Sequence, residues 1–311
     1  MTDPAASPPH RRLPGRRRGT AVLALLALLT AGCAAAPEVG APTSAGSNVS
    51  VPTAPVPAAA GGGPSSAAAV SSWARSFRGV QKQLSGPAGV ALFPVGSTRS
   101  GDLVALGRWK SGVAWSTAKV PVTVAAQRRS HSTRTKRRAR RAITVSDNRA
   151  AEQLWSQLGR PARAAARTQD VIRDAGDRST VVQRRRVRRG FTAFGQTRWD
   201  LDDQARFAAG LSCLADAKPV VSLMGQVTPS QRWGLGQIPG ARFKGGWGPV
   251  GRGYLVRQLG IITLSDGSKL GIAIAVSSPR GFSRGTQDLT TISRWLARRP
   301  SALHGGRCPK R

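Results

Sequence analysis

A serine and a lysine stand three residues apart in the segment AWSTAKVPV, residues 114–122, where a helix is predicted to begin. At a helix N-terminus, the hydroxyl and the N–H of Ser116 lie at the positive end of the helix dipole, which stabilises a developing oxyanion. Lys119 follows one turn later on the same face, and a partly neutral amine there can accept the serine proton. The pair therefore predicts a nucleophile and its base. By itself the pair fits equally a helix-capping serine beside a surface lysine.

The segment SDN, residues 146–148, is the second candidate. On a loop facing Ser116, the hydroxyl of Ser146 can pass a proton to a leaving group and the carboxamide of Asn148 can hold a substrate amide. In the alternative interpretation Asp147 only caps the helix that follows.

The third candidate is FKGGWG, residues 243–248, on a predicted strand. Lys244 offers a cation for a substrate carboxylate, while Gly245 and Gly246 leave an open strand edge for an extended substrate. The N–H of Trp247 would then be a second donor to the oxyanion. Glycines in a strand otherwise mark only a bulge.

In this order, the three segments resemble the SxxK, SDN and KTG motifs of the serine β-lactamases and penicillin-binding proteins. The flanks WSTAKVPV and SDNRAAEQLW are also similar to this superfamily, and the 98 residues from Ser146 to Lys244 are similar to the spacing in class A enzymes. The resemblance covers about residues 70–300. It implies an α+β fold in which a five-stranded antiparallel sheet is flanked by helices, with a reduced all-helical lobe.

The same resemblance implies roles for the candidate residues. Ser116 would be the acylated nucleophile, Lys119 its base and Ser146 the proton shuttle, with Lys244 and Asn148 anchoring the substrate. We therefore expect a serine acyl hydrolase or acyl-transfer enzyme that acts on a peptide, amide or ester of the cell envelope. The alternatives are a non-catalytic binding or scaffold lipoprotein for wall material, and a slow or acyl-trapping β-lactamase.

Three departures from the superfamily pattern qualify this expectation. Gly245 replaces the Thr or Ser of the third motif, which removes a hydroxyl that would meet a substrate carboxylate. Only 29 residues separate Ser116 from Ser146, so the helical lobe is expected to be trimmed. The only glutamates are Glu38 and Glu152, so the loop glutamate that activates the hydrolytic water in class A enzymes has no counterpart.

Other acids and bases lie near that loop. Asp170, Asp174 and Asp177 precede it and could substitute for the glutamate, although each is expected to be a solvated helix or turn acid. Five arginines occupy residues 184–189. They form either a solvated charge run or a surface for an anionic substrate or wall polymer.

The N-terminus predicts export. Residues 1–32 carry a basic region, an apolar core of ten residues and a small-residue site, as in a secretory signal peptide. LLTAGC resembles the lipobox of bacterial lipoproteins, which would make Cys33 the lipidated first residue; plain secretion is the alternative. Residues 33–69 are rich in Ala, Pro, Gly and Ser and predict a flexible tether, and residues 301–311 a C-terminal tail. The protein is thus expected on the outer face of the cell membrane.

Charge and cysteines fit that location. The net charge is +34, and 40 of the 48 basic residues are arginines. Outside the cytoplasm nucleic acid is not an expected partner, whereas an anionic wall polymer or membrane surface is. Cys213 and Cys308 predict one disulfide in an oxidising compartment, with two free thiols as the alternative. Three scattered histidines supply neither a Ser-His-Asp triad nor a metal site, so we expect no metal or cofactor, and a monomer.

The predicted elements run in the order helix, two strands, a helical middle, three strands, helix. Strands from both ends of the domain are expected to share one sheet around the helical insert. We assign no element to the strongly basic residues 127–141, and the last helix is predicted from Asp288.

Overall fold

The computed structural model of the chain describes residues 66–298 and 303–309. The predicted signal peptide, Cys33, the tether up to residue 65 and parts of the tail lie outside the described residues and stay predictions. Within the described residues, no single helix is both long and apolar enough to cross a membrane.

Seven strands form two sheets in the part of the chain that the structure describes. Their bounds are β1 Ala88–Pro94, β2 Val104–Gly107, β3 Ser111–Val113, β4 Arg198–Asp200, β5 Arg242–Val250, β6 Gly253–Thr263 and β7 Lys269–Ser278. The large sheet has the order β2-β1-β7-β6-β5 and is antiparallel throughout, while β3 and β4 pair separately. The predicted fold class is confirmed. Pairing of β1 with β7, from Ala88 opposite Val276 to Pro94 opposite Leu270, joins the two ends of the domain as expected.

Eight helices accompany the sheet in the described residues. They are α1 Ser66–Gln81, α2 Lys119–Arg129, α3 Thr133–Thr144, α4 Asn148–Gln157, α5 Pro161–Asp174, α6 Leu201–Leu211, α7 Lys218–Met224 and α8 Gly281–Ala297. On one face of the sheet α1 and α8 bury an aromatic core in which the rings of Trp73 and Trp295 lie 5.2 Å apart. The opposite face packs on α6.

The helices α2 to α5 and α7 form a helical lobe with its own apolar core. Val120, Leu154 and Ile172 are among its buried residues, each no more than 1% exposed. Helix α6 lies between this lobe and the sheet, since Phe207 packs into the lobe core and Ala205 against the sheet. The lobe therefore has a fixed position against the sheet, and the candidate motifs lie where the two meet.

Two helices differ from the sequence-based expectation. The basic residues 127–141 do not form an irregular segment, because most of them belong to α3, which buries Ala139, Ala142 and Ile143 while its arginines stay at the surface. Ser132 caps this helix by accepting a hydrogen bond from the Thr135 N–H at 3.2 Å. Helix α8 begins at Gly281, seven residues before the predicted start.

The tail is joined to the domain by a disulfide between Cys213 and Cys308, with Cα atoms 5.4 Å apart. Cys213 follows α6, and near Cys308 the backbone of Gly306 pairs with Lys269 at the start of β7. The bond closes a separation of 95 residues and so constrains a large part of the unfolded chain.

We expect the double substitution Cys213→Ser/Cys308→Ser to lower the free energy of unfolding by about 2–4 kcal/mol, because a long loop is no longer closed in the unfolded state. Denaturant titrations of both proteins, with and without reductant, would measure this. Reductant should destabilise the native protein and leave the variant unchanged. A native protein indifferent to reductant would contradict the expectation.

Candidate active site

Ser116 lies in a single 3₁₀ turn, Trp115–Ala118, that continues directly into α2 at Lys119. The predicted helix start is therefore confirmed. Trp115 has a φ of 52°, a left-handed conformation that bulky side chains rarely adopt. Ser116 itself is half-buried, and its hydroxyl makes no hydrogen bond within the described residues. The turn thus presents an unengaged hydroxyl at the junction of lobe and sheet.

The turn is supported from below by a buried polar network. Thr117 Oγ1 donates to Ala114 O at 2.5 Å and accepts from Gln204 Nε2 at 2.9 Å. Arg257 on β6 is fully buried and donates to Gly112 O at 2.9 Å and to Gln204 Oε1 at 2.6 Å. Burial lowers the pKa of Arg257 to about 9, against a smaller opposite effect of Asp200. These groups fix the backbone that leads into Ser116.

Sequence reasoning missed Arg257 and Gln204. A signal for Arg257 existed, because a charged residue interrupts the otherwise apolar strand GYLVRQLGIITL. A charge at the centre of a buried strand needs partners. The sequence could not show that those partners are the carbonyls before Ser116.

The two candidate lysines converge on Ser146. Lys119 Nζ donates to Ser146 O at 2.5 Å, to Ser146 Oγ at 3.2 Å and to Asn148 Oδ1 at 2.7 Å. Lys244 Nζ donates to the same Ser146 Oγ at 2.9 Å and to Gly245 O at 2.8 Å. Ser146 has a φ of 59° and, with Trp115, is one of two non-glycine residues with positive φ in the described chain. Two strained residues at one site indicate that the surrounding structure enforces this geometry.

Both amines are buried, and burial sets their protonation. Burial lowers the pKa of Lys119 to about 7, with the charge of Asp147 acting in the opposite direction. Lys244 is fully buried, and burial followed by the charge of Lys119 holds its pKa well below the ordinary value. An amine that loses its proton near neutral pH can act as a base. Lys244 is not exposed, and its predicted binding of a substrate carboxylate stays a prediction.

Asp147 has the structural role that the sequence left open. Its side chain caps α4 by accepting from the Ala150 N–H at 2.8 Å and pairs with Arg141 at 2.6 Å. The helix N–H bond is the largest of the effects that lower the pKa of Asp147. Its neighbour Asn148 is thereby held at the first turn of α4, where its amide oxygen reaches Lys119.

The strand β5 packs against the turn of Ser116 through glycine. A β-carbon on Gly246 would lie 2.7 Å from Ala114 O and 2.9 Å from the nitrogens of Ser116 and Thr117. A β-carbon on Gly248 would lie 2.5 Å from the Trp115 ring. The glycines therefore let β5 approach the turn of Ser116 more closely than any side chain would permit.

On the opposite face of β5, Gly245 faces Trp233. A β-carbon at this position would lie 3.1 and 3.2 Å from two carbons of the indole ring. The space that a threonine or serine would need is thus already lined by an aromatic side chain. Trp247, next but one along the strand, has its ring centroid 6.0 Å from Lys244 Nζ.

The arginine-rich residues 184–189 are exposed. Arg186 pairs with Glu152 at 3.0 Å, and Arg188 donates to Pro249 O at 2.9 Å. Arg188 also lies over the rings of Trp115 and Phe191, 5.7 and 4.8 Å from their centroids. Through Arg188 the loop therefore contacts β5 and Trp115, the residue before Ser116.

None of the three aspartates near this loop bonds to the candidate residues. Asp170 and Asp174 are exposed, as expected, and Asp174 pairs with Arg128 at 2.7 Å. The expectation that Asp177 is solvated was wrong: its side chain is fully buried and accepts from Trp199 Nε1 at 2.8 Å and from Thr180 N at 3.0 Å. Asp177 fixes the turn after α5, because a buried carboxylate must be satisfied by donors.

No family model matches the sequence, and no curated protein matches it. Solved structures do match. TLA-3 extended-spectrum β-lactamase is 14% identical with a TM-score of 0.57, covering 73% of this chain and 99% of that one. The class A β-lactamase from Mycobacterium abscessus is 17% identical with a TM-score of 0.56, covering 72% and 98%.

PBP-A is 19% identical with a TM-score of 0.55, covering 74% of this chain and 97% of that one. Its L158E mutant, solved as an acyl-enzyme complex with penicillin G, has a TM-score of 0.57 at 18% identity and covers 76% and 98%. The fold is that of the serine β-lactamases and penicillin-binding proteins.

The Lys119 pKa predicts how acylation depends on pH. If neutral Lys119 accepts the serine proton, the acylation rate rises with pH and levels off above about 7, and at pH 6 it is about tenfold below the plateau. Acylation by a neutral acyl probe, followed by intact mass between pH 5 and 9, would measure the profile. A rate that stays flat from pH 6 to 8 would rule out Lys119 titration as the controlling step.

Replacing Gly246 with alanine should displace β5 from the nucleophile, because the new β-carbon would meet backbone atoms that cannot yield. We expect the acylation rate to fall roughly 100-fold, the order of loss that a misplacement of about 1 Å produces. Gly79→Ala on α1 is the matched control, since its β-carbon meets nothing within 4 Å. Equal acylation rates of the two variants would refute the close-approach argument.

Proposed function

We propose that the protein is a serine acyl-transfer enzyme or acyl hydrolase that forms an ester on Ser116 and releases it slowly. The observation that carries this proposal is the convergence of two buried amines, Lys119 and Lys244, on the hydroxyl of Ser146, with Lys119 one helical turn after Ser116. Buried amines with lowered pKa values are costly to maintain and are typical of proton-transfer sites.

The proposed acylation step uses these groups in turn. Ser116 Oγ attacks the carbonyl carbon of the substrate, and its proton passes to neutral Lys119 one helical turn away. The negative charge on the carbonyl oxygen faces the N–H of Ser116 and that of Trp247, which follows the glycine packed on Ser116. As the carbonyl carbon's bond to the leaving group breaks, Ser146 gives its proton to the leaving group and takes from Lys119 the proton that Lys119 received from Ser116.

The proposed slow release of the ester is inferred from where the carboxylates lie relative to the site. Among the described residues, no carboxylate forms a hydrogen bond or ion pair with Ser116, Lys119, Ser146 or Lys244. A water that attacks the ester therefore has only the amines and Ser146 to accept its proton. An acceptor amine or hydroxyl that brings its own binding energy would compete well with such water. This favours acyl transfer over rapid hydrolysis and fits an acyl-trapping response to β-lactams.

We also propose that the enzyme works outside the cytoplasm, anchored by a lipid on Cys33, on a peptide, amide or ester of the cell envelope. The signal-like N-terminus supports this, and so does the Cys213–Cys308 bond, since disulfides persist in oxidising compartments.

The alternative is a non-catalytic binding protein for anionic wall material. It is favoured by a cleft of about 710 Å³ lined by Arg184, Arg185 and Arg186. Crowding of cations on the nearby α5 points the same way, since partial burial and then the charges of Arg129 and Arg163 lower the pKa of Arg167. Arg186 pairs with Glu152, but cations outnumber acids in this cleft, and such an excess of positive charge attracts a polyanion.

Intact-mass spectrometry of the mature domain with a β-lactam, and separately with a fluorophosphonate, tests the proposal. We expect one covalent adduct on Ser116 that persists for hours with the β-lactam, and none in Ser116→Ala. Ser100→Ala is the control, because Ser100 is exposed and distant in the chain from the three motifs. An unlabelled protein that nevertheless binds polyphosphate would favour the non-catalytic alternative, and an adduct lost within seconds would favour hydrolysis.

A further inference from the structure

Three aromatic side chains gather beside the candidate active site, on the α8 side of β5. Trp233, Trp247 and Phe282 have ring centroids 5.9, 6.1 and 5.2 Å apart, and we call them the aromatic ridge. None of them is fully buried, and Phe282 is 37% exposed. Tyr254 extends the group, 6.2 Å from Phe282. Adjoining large aromatic rings that remain accessible to solvent mark a binding surface more often than a packing accident.

The aromatic ridge reaches the reacting groups. The Trp247 ring lies 6.0 Å from Lys244 Nζ, and Lys244 bonds to Ser146. Trp247 directly follows Gly246, which packs on the nitrogen of Ser116. A substrate lying along β5 with its carbonyl at Ser116 therefore needs only one or two residues' length to place a side group on the ridge.

Trp233 is held in place by a dedicated set of bonds. Gln258 is fully buried on β6, and its amide donates to Trp233 O at 2.8 Å while its oxygen accepts from Leu235 N at 2.7 Å. Between them, Gly234 N donates to Thr290 Oγ1 at 3.0 Å. The segment that carries Trp233 is thus fastened to both β6 and α8. The ring against Gly245 is a built wall of the site.

This wall suits an uncharged group. Lys244 is fully buried with its amine engaged by Ser146 and Gly245, so it offers no exposed charge to a carboxylate on this face. A hydroxyl at position 245 is absent, and the faces of aromatic rings carry partial negative charge, which disfavours an anion. Arg232, next to Trp233, and Arg280, two residues before Phe282, are exposed, solvated cations. A carboxylate-bearing probe measures their influence directly.

We propose that the aromatic ridge binds an uncharged aromatic or apolar group of the compound that acylates Ser116, and that it disfavours a carboxylate at that place. The proposal rests on the proposed function only for the identity of the compound, because binding to the ridge needs no acylation.

Two thioesters of N-acetylcysteamine test the proposal. Their acyl groups, 4-phenylbutanoyl and glutaryl, share the same chain and end in a phenyl ring and in a carboxylate, respectively. We expect the phenyl thioester to acylate Ser116 about tenfold faster or more, as measured by intact mass, since burying one aromatic group against others is worth roughly a factor of ten. Phe282→Ala and Trp247→Ala should remove that preference. Val181→Ala is the control, because Val181 is 71% exposed and lies outside the ridge.

A binding measurement separates this proposal from the proposed function. In Ser116→Ala, ligand-observed NMR with 4-phenylbutanamide and glutaramate should show the phenyl compound binding about tenfold more tightly, with the difference lost on adding Phe282→Ala. If neither thioester acylates Ser116 but this binding pattern holds, the proposal that the ridge binds an uncharged group is supported and the proposed function fails. Equal acylation by both thioesters, or a preference for glutaryl, overturns the ridge. So does a preference that Phe282→Ala and Trp247→Ala, both folded by circular dichroism, leave unchanged.

Discussion

The site depends on one shared hydroxyl. Ser146 Oγ lies within hydrogen-bonding distance of Lys119 on α2 and of Lys244 on β5, residues 27 and 98 positions away in the chain. Two ammonium groups this close together, both buried, would repel each other strongly. At least one must be neutral near physiological pH, which agrees with the lowered pKa values of both. The fold thus maintains a neutral amine chiefly by burying both lysines, and the charge of Lys119 adds to the effect of burial on Lys244.

Several costly features serve that arrangement. The left-handed backbone of Trp115 and Ser146 costs of the order of 1–3 kcal/mol at each residue. Arg257 is buried only because carbonyls and the Gln204 amide surround it. Of these residues only Trp115 belongs to an apolar core, the one on the α6 side of the sheet. Their common effect is to fix the turn of Ser116 against β5.

Much of the fold and of the candidate site could be predicted from the sequence. Alternating and continuous apolar runs gave the sheet, since β7 spans the strand-like segment KLGIAIAVSS. The three motifs indicated which segments meet. Ser116, Ser146 and Lys244 are each common residue types, but their order and spacing together resemble the motif set of one superfamily. The basic helix α3 was not readable by charge alone, because its buried face is only Ala139, Ala142, Ile143 and two threonines. Nor could the sequence place Trp233 against Gly245. That contact depends on the hydrogen bonds between Gln258 on β6 and the backbone of Trp233 and Leu235.

The glycine at position 245 and the missing loop glutamate fit one explanation. A side chain at 245 would need the space that Trp233 lines, so this face of β5 is apolar, while the opposite face holds the amines. A site of this kind binds its acyl donor by contact area, which stabilises the bound ester as well as the transition state that forms it. Among the described residues no carboxylate bonds to Ser116, Lys119, Ser146 or Lys244, so the proposed ester would last until an acceptor of matching shape arrives. An anionic polymer attracted to the arginines of residues 184–189 would bring hydroxyl or amine acceptors to the neighbouring surface. The apolar wall of β5 would then bind the acyl donor, and the arginines would bind the acceptor of the same transfer reaction.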